Sequence, residues 1–469
     1  MTRPTYRRVA GPEADGRRPR LLLLSYHFPP GPAVGGLRWL RFAQMAVEHG
    51  WAMDVITADP EMLGRRDEGR LADLPPDTRV FGVHAKPLWF DRRPGRPADP
   101  EETGPPPPGP AAPAATPSVV PTAELKWELG SILGWRRMAR VYFHVARERA
   151  WSTAAAAAAL DLARTTTYDA VISSGPPHQV HLAATAVGRA IGRPSIVDFR
   201  DPWSTMRATL FGLATPLWPM VNRCFESRAL RRSALAVFNT DLATEAMRAR
   251  YPNLADRFLT VMNGADDEPV VHPPRDRFVI SYAGNIYIDR NPRTLFQAAR
   301  RVIDKLGVGP EQFRIEFMGH ADRLDGQTVA EIAAETGVGD FFTQHPVAPR
   351  QEALRFLARA TVLVSLPQST VLALPSKAFE YLAFEAWPLL LAAPESATAR
   401  VFRDTSIAVI RPEDVGGIEG FLEDRYRRFA KGERPGPIAE RDRFSRRGQA
   451  MILFNAIGAL TGPRDRAGR

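Results

Sequence analysis

The stretch Pro375-Ser-Lys-Ala-Phe-Glu-Tyr-Leu382 decides how this chain is read. An apolar strand at 361–365 and a loop precede it, and the stretch itself opens an amphipathic helix. A helix start carries free backbone N–H groups and the positive end of the dipole, so it suits phosphate. Pro375 fits such a start, Ser376 and Lys377 add a hydroxyl and a cation, and Glu380 follows one turn in. A carboxylate there accepts hydrogen bonds from two neighbouring sugar hydroxyls while a diphosphate rests on the helix tip. Strand, loop and tip read as a nucleotide-sugar site. The structural alternative is a capped core helix with Glu380 exposed.

Around this stretch, further strands are expected at 278–283, 314–318, 341–343, 388–392 and 406–410, with helices between them. An earlier series has the same rhythm. Its strands fall at 21–25, 53–57, 80–84, 170–173, 195–199, 235–239 and 259–262, and its helices at 37–49, 135–163, 181–190, 210–231 and 242–250. The run Leu21 to Leu24 is continuous and apolar, the pattern of a strand covered on both faces. Two alternating series predict an α/β chain of two doubly wound Rossmann-like domains facing a cleft. The N-terminal domain is expected over 20–268 and the C-terminal one over 277–435, with a last helix within 440–462. Residues 1–19 read as a disordered basic tail and 92–122, rich in Pro and Ala, as a disordered insertion.

Composition narrows the function. A chain of 469 residues with 44% apolar content holds two ordinary cores. The single cysteine, Cys224, excludes an intramolecular disulfide and a multi-cysteine metal site and fits a reducing compartment. The apolar run after the basic N-terminus is too short for a signal peptide, and no stretch reaches the roughly 18 apolar residues of a membrane span. A cytoplasmic protein is expected. The net charge of +10 favours an anionic partner: nucleic acid, acidic lipid headgroups or a phosphorylated ligand. No interleaved basic and aromatic pattern supports nucleic acid. The apolar, aromatic segments 127–142 and 210–218 make an anionic membrane surface a candidate partner, with core helices as the alternative.

Four more constellations follow strands. In His27-Phe-Pro-Pro-Gly-Pro-Ala-Val-Gly-Gly36, the glycines Gly35 and Gly36 allow close approach to phosphate, or simply a tight connection. The stretch is not G-x-G-x-x-G, so a nicotinamide fingerprint is absent. Ser173-Ser-Gly-Pro-Pro-His178-Gln-Val-His181 offers Ser174 and Gly175 to a ligand and His178 for proton transfer; a turn or cap histidine is the alternative. In Asp198-Phe-Arg-Asp-Pro-Trp203, Arg200 and Asp201 are either a catalytic carboxylate beside a cation or a structural pair. Tyr282-Ala-Gly-Asn-Ile-Tyr-Ile-Asp-Arg-Asn-Pro292 carries Gly284, Asn285 and Arg290; the arginine neutralises a departing diphosphate or is a solvated loop residue.

Together the stretches SYHFPPGPAVGGLRWLRFA, SSGPPHQVHLAA, IVDFRDPW, VMNGADD, SYAGNIYIDRNP and LPSKAFEYLAF resemble glycosyltransferases of the GT-B type, family 4, over about residues 20–430. The resemblance implies a retaining, metal-independent transfer from a nucleotide-diphosphate sugar as co-substrate, with no bound cofactor, to a glycan or lipid-linked acceptor. It implies that the last helix crosses back to the N-terminal domain. Glu380 matches the second glutamate of the family's Glu-x7-Glu motif and would bind ribose; Ser376 and Lys377, with Gly35 and Gly36, would face the diphosphate. The chain departs from the family in three places. Leu372 stands at the first glutamate, Asn285 follows the domain-two glycine where an arginine is common (leaving Arg290 as substitute), and Arg200 takes the place of a histidine, so that Asp201 or His178 would orient the acceptor. A polysaccharide-building enzyme, cytoplasmic or peripheral on the inner face of the plasma membrane, is the expectation. A nucleotide-sugar epimerase of the same frame and a non-catalytic binding protein are the alternatives.

Overall fold

The computed structural model describes residues 5–11, 18–31, 35–63, 66–85, 132–200, 203, 217–266, 272–273, 275–286, 290–321, 323–366 and 371–462. Two compact units divide the chain. The first comprises residues 1–239, 244–261 and 450 onward; the second comprises 240–243 and 262–449.

The first unit is built on β1 (Tyr6–Ala10), β2 (Arg20–Ser25), β3 (Ala52–Ala58), β4 (Thr78–Val83), β5 (Ala170–Gly175), β6 (Ser195–Phe199), β7 (Leu235–Phe238) and β8 (Phe258–Thr260). Their order in the sheet is β1-β4-β3-β2-β5-β6-β7-β8, parallel throughout except for β1. Helices α1 (Gly35–Glu48), α2 (Ile132–Leu162), α3 (Gln179–Ala190), α4 (Leu217–Arg232) and α5 (Asp241–Arg250) lie between strands in sequence.

Strand β2 shows why the sheet is sandwiched. Successive side chains point to opposite faces, so Leu21 and Leu23 enter one core while Leu22 and Leu24 enter the other. On the first face they meet Trp39 and Phe42 of α1. On the second they meet Ala155, Ala158 and Ala159 of α2, where the alanine run lets the helix lie close to the sheet.

The tail expected to be disordered over 1–19 contains β1, which pairs antiparallel with β4. Tyr6 packs edge-on against Phe81 and donates its hydroxyl to Asp161 at 3.0 Å. Arg7, within the stretch expected to be a disordered basic tail, is paired with Asp59 at 2.9 Å and Glu61 at 2.8 Å. Local composition gave the wrong answer because the compensating groups come from distant segments. The insertion at 92–122 lies outside the described residues.

The second unit has β9 (Phe278–Ala283), β10 (Phe313–Met318), β11 (Phe342–His345), β12 (Val362–Ser365), β13 (Trp387–Leu391) and β14 (Ala408–Ile410), all parallel, in the order β11-β10-β9-β12-β13-β14. Its helices are α6 (Arg293–Leu306), α7 (Val329–Glu335), α8 (Arg350–Ala358), α9 (Ser376–Glu380), α10 (Ala397–Val401) and α11 (Val415–Ala430). One face packs Phe278, Ile280 and Tyr282 against α6, α7 and α11; the other packs Leu363 and Leu390 against α8 and α9. The last helix, α12 (Arg446–Thr461), leaves the second unit and places Ala450, Leu453, Phe454 and Ile457 in the core of the first. No helix among the described residues is long and apolar enough to cross a membrane.

Candidate functional site

Ligands of open parallel sheets bind outside the carboxyl ends of the strands, where the strand order reverses. The first sheet reverses between β2 and β5, the second between β9 and β12. The loops after these four strands carry most of the unusual residues noted in the sequence.

In the second unit, Gly284 follows β9 with φ +143°, a conformation that L residues rarely adopt. A Cβ at this position would overlap the Lys377 ammonium, so glycine is required both for the backbone and for the lysine's place. Lys377 reaches back from α9, donates to the Ala283 carbonyl at 2.5 Å and lies 4.0 Å from the centroid of the Tyr282 ring. Arg290 closes the loop by donating to the Asn285 carbonyl at 2.8 Å and to the Tyr282 hydroxyl at 3.2 Å. Two cations therefore converge on one tyrosine. Burial first, and then the Arg290 charge, push the Lys377 ammonium down to about 7, while Glu380 acts in the opposite direction.

Glu380 accepts from Arg350 Nη1 at 2.8 Å, and Arg350 lies 3.8 Å from Asp266. Asp266 in turn pairs with Arg446 at 2.6 Å. Among the described residues no hydrogen bond reaches the second oxygen of Glu380 or the exposed Ser376 hydroxyl.

The amphipathic helix expected to open at Ser376 is shorter than the sequence implied. Helix α9 spans five residues and passes directly into a 3-10 turn at Tyr381–Ala383. So short a helix has a weak dipole, and the side-chain cations supply most of the positive potential. Leu372, at the place of the family's first glutamate, accepts a hydrogen bond from Thr240 through its backbone carbonyl at 2.7 Å.

In the first unit, Gly35 and Gly36 are the first residues of α1. The Arg200 guanidinium occupies the space a Gly35 side chain would need, and a Cβ at Gly36 would stand 3.1 Å from Phe28 Cα. Arg200 is fixed there by donating to the Gly175 carbonyl at 2.8 Å and the Pro176 carbonyl at 3.0 Å. A cation thus caps the amino end of a 14-residue helix, a combination that suits an anion.

Ser174, considered as a ligand contact, is committed elsewhere. Its hydroxyl donates to buried Asp198 at 3.1 Å. Asp198 also accepts from Arg38 at 3.1 and 3.2 Å and from Trp39 Nε1 at 2.7 Å, so it is a structural anchor.

His178 is buried with His181, their ring nitrogens 3.4 Å apart, and it stacks on Trp203 at 5.3 Å. Burial pushes both imidazoles down, His181 to about 3, so both are neutral at pH 7 and weak as proton acceptors. His178 Nε2 finds no partner among the described residues. Asp201 lies outside the described residues.

The geometry therefore gathers Gly284, Asn285, Arg290, Lys377 and Glu380 in the second unit, and Gly35, Gly36, Arg200 and His178 around the reversal point of the first. Sequence reasoning missed Tyr282 as the platform for both cations and Arg350 as the partner of Glu380. Tyr282 was within reach, since an aromatic two residues before the glycine packs beneath whatever crosses it. Arg350 gave no signal, standing 30 residues before Glu380 on another helix.

Among solved structures the chain is similar to sucrose-phosphate synthase from Thermosynechococcus elongatus, at 12% identity and TM-score 0.52, with 95% of each chain covered. It is similar to HepE from Anabaena in complex with UDP-glucose, at 11% identity and TM-score 0.54, covering 94% of this chain and 100% of that one. A glycosyltransferase from Rickettsia africae gives 9% identity and TM-score 0.54, covering 95% and 96%. No family model and no curated protein sequence matches the chain. Likeness at this identity is one of fold. The chain is mixed α/β with two Rossmann-like units on parallel sheets, the GT-B architecture of these glycosyltransferases.

Proposed function

We propose that the chain is a glycosyltransferase that uses a nucleotide-diphosphate sugar. The observation that carries this reading is the pair Lys377 and Arg290, converging on Tyr282 beside a glycine whose conformation leaves room for nothing else. Two cations without a carboxylate between them form a receptor for a diphosphate. Glu380, with one oxygen held by Arg350, offers the other to the ribose hydroxyls.

In the reaction, the bond from the anomeric carbon to the diphosphate oxygen breaks, and Lys377 and Arg290 stabilise the charge that develops. The acceptor hydroxyl attacks from the same face, giving retention, and its proton passes to a donor phosphate oxygen or to Asp201. No metal ion is assigned to this step. The loops holding Gly35, Arg200 and His178 take the acceptor, a glycan or lipid-linked saccharide. The relation to HepE makes UDP and UDP-glucose the first probes.

Purified protein incubated with a panel of nucleotide sugars, with and without acceptor glycans, should release nucleoside diphosphate only when acceptor is present. Lys377→Ala and Arg290→Ala should suppress this release. Isomerised sugar formed from donor alone would point to an epimerase instead. Nucleotide binding that is unchanged in Lys377→Ala would remove the basis of the assignment.

A further inference from the structure

A second feature lies at the amino-terminal edge of the first unit's sheet, away from the strand ends described above. Where β6, β7 and β8 begin, a basin of about 450 Å3 opens between the ends of α3 and α4. Arg189, Arg193, Arg232 and Arg257 line it, and no acidic side chain does. Along β6 the chain rises roughly 3.3 Å per residue, so Ser195 at the basin stands about 13 Å from Phe199 at the other edge. The basin therefore shares no residue with the site around Arg200.

A simpler role accounts for part of the cluster. Cations favour helix carboxyl ends, and Arg257 does cap one by donating to the Ser233 carbonyl at 3.2 Å. The guanidinium groups of Arg189, Arg193 and Arg232 have no hydrogen-bonded or ionic partner among the described residues, and all three residues are exposed. Two helix ends supply roughly half a negative charge each, so four guanidinium groups leave an excess of about three positive charges. Such an excess of positive charge attracts an anion. Guanidinium forks match phosphate oxygens in pairs. A nucleic-acid strand would also need aromatic stacking surfaces, and none lines the basin.

We infer that this basin is a second binding site, distinct from the donor site, for a phosphate-bearing ligand. The ligand is either a soluble phosphorylated metabolite or the headgroup of an acidic phospholipid, and two probes tell these apart. Full-length protein carrying Lys377→Ala and Arg290→Ala, which disable the proposed donor site, is titrated calorimetrically with inorganic pyrophosphate. The same protein is sedimented with vesicles of phosphatidylcholine alone or mixed equally with phosphatidylglycerol. Adding Arg193→Glu and Arg232→Glu should weaken binding of at least one probe by more than about tenfold. The milder Arg193→Gln and Arg232→Gln pair should weaken it in the same direction with an unchanged circular dichroism spectrum. Loss of pyrophosphate binding identifies a soluble ligand, and loss confined to acidic vesicles identifies a headgroup. Binding of both probes that is unaffected by charge reversal overturns the inference, whatever happens to sugar transfer.

Discussion

Gly284→Ala tests the proposed diphosphate receptor without removing a charge. At φ +143° an added Cβ costs roughly 1–3 kcal/mol in backbone strain. The same Cβ would occupy the position of the Lys377 ammonium, so the lysine must leave the Ala283 carbonyl and the Tyr282 ring. Because the obstructing atom ends a flexible side chain, this displacement adds little to the loss of stability. Its effect falls on binding: a lost charge-assisted hydrogen bond to a phosphate is worth about 1.5–3 kcal/mol, or ten- to a hundredfold in affinity. Calorimetric titration with UDP should show that loss, and the unliganded thermal midpoint should fall by about 2–4 °C per kcal/mol of strain. Lys377→Ala should weaken UDP to a similar degree, and the double variant no further, since both changes remove one interaction. Wild-type affinity in Gly284→Ala, or losses that add in the double variant, would show that Lys377 does not contact the diphosphate from where it now lies.

The remaining expectations follow from the same geometry. With the Lys377 ammonium at about 7 in the empty site, a bound diphosphate raises its pKa, so binding takes up a proton. UDP affinity should be full below pH 7 and fall by up to about tenfold per pH unit above it, while Lys377→Arg should flatten the profile. Since folding lowers this lysine's pKa, its charge destabilises the folded state below the unfolded value of 10.5; Lys377→Met should raise the unliganded thermal midpoint at pH 7 while abolishing UDP binding. Asp198→Ala removes the carboxylate that neutralises buried Arg38, and urea unfolding should register a loss of about 3–5 kcal/mol; Asp198→Leu combined with Arg38→Met should recover much of it. Gly35→Ala should unseat Arg200 from the Gly175 and Pro176 carbonyls and lower sugar transfer, with little further loss when Arg200→Ala is added.

The parts of this chain that could be read from its sequence are those whose cause is local. Leu21 to Leu24 had to be a strand covered on both faces, because an uninterrupted apolar run leaves no side for water. The glycines at 35, 36 and 284 marked close approaches, and the structure fills each with a neighbouring group. What stayed hidden are charges neutralised at a distance. Asp54 is wholly buried in β3 and accepts from Arg20 at 2.6 Å, Arg79 at 2.8 Å and Tyr168 at 2.7 Å, contributors spread over more than a hundred residues. Arg20, the first residue of β2, is one of its partners. The length of α9 was hidden as well: Ala378, Phe379, Tyr381 and Leu382 are all buried along one face, so the apolar pattern runs on past the helix end into the 3-10 turn.

Glu380 shows how the two kinds of information combine. Its position one turn after Lys377 made it a ribose ligand in prospect, yet only the fold reveals that Arg350 already holds one oxygen. A carboxylate so held has a fixed orientation, and its other oxygen is the one the proposed function gives to the ribose. The arginine thus serves as a positioning residue. Replacing it by alanine should weaken UDP while sparing inorganic pyrophosphate, which lacks the ribose. Equal losses for both probes would place Arg350 in the diphosphate receptor itself.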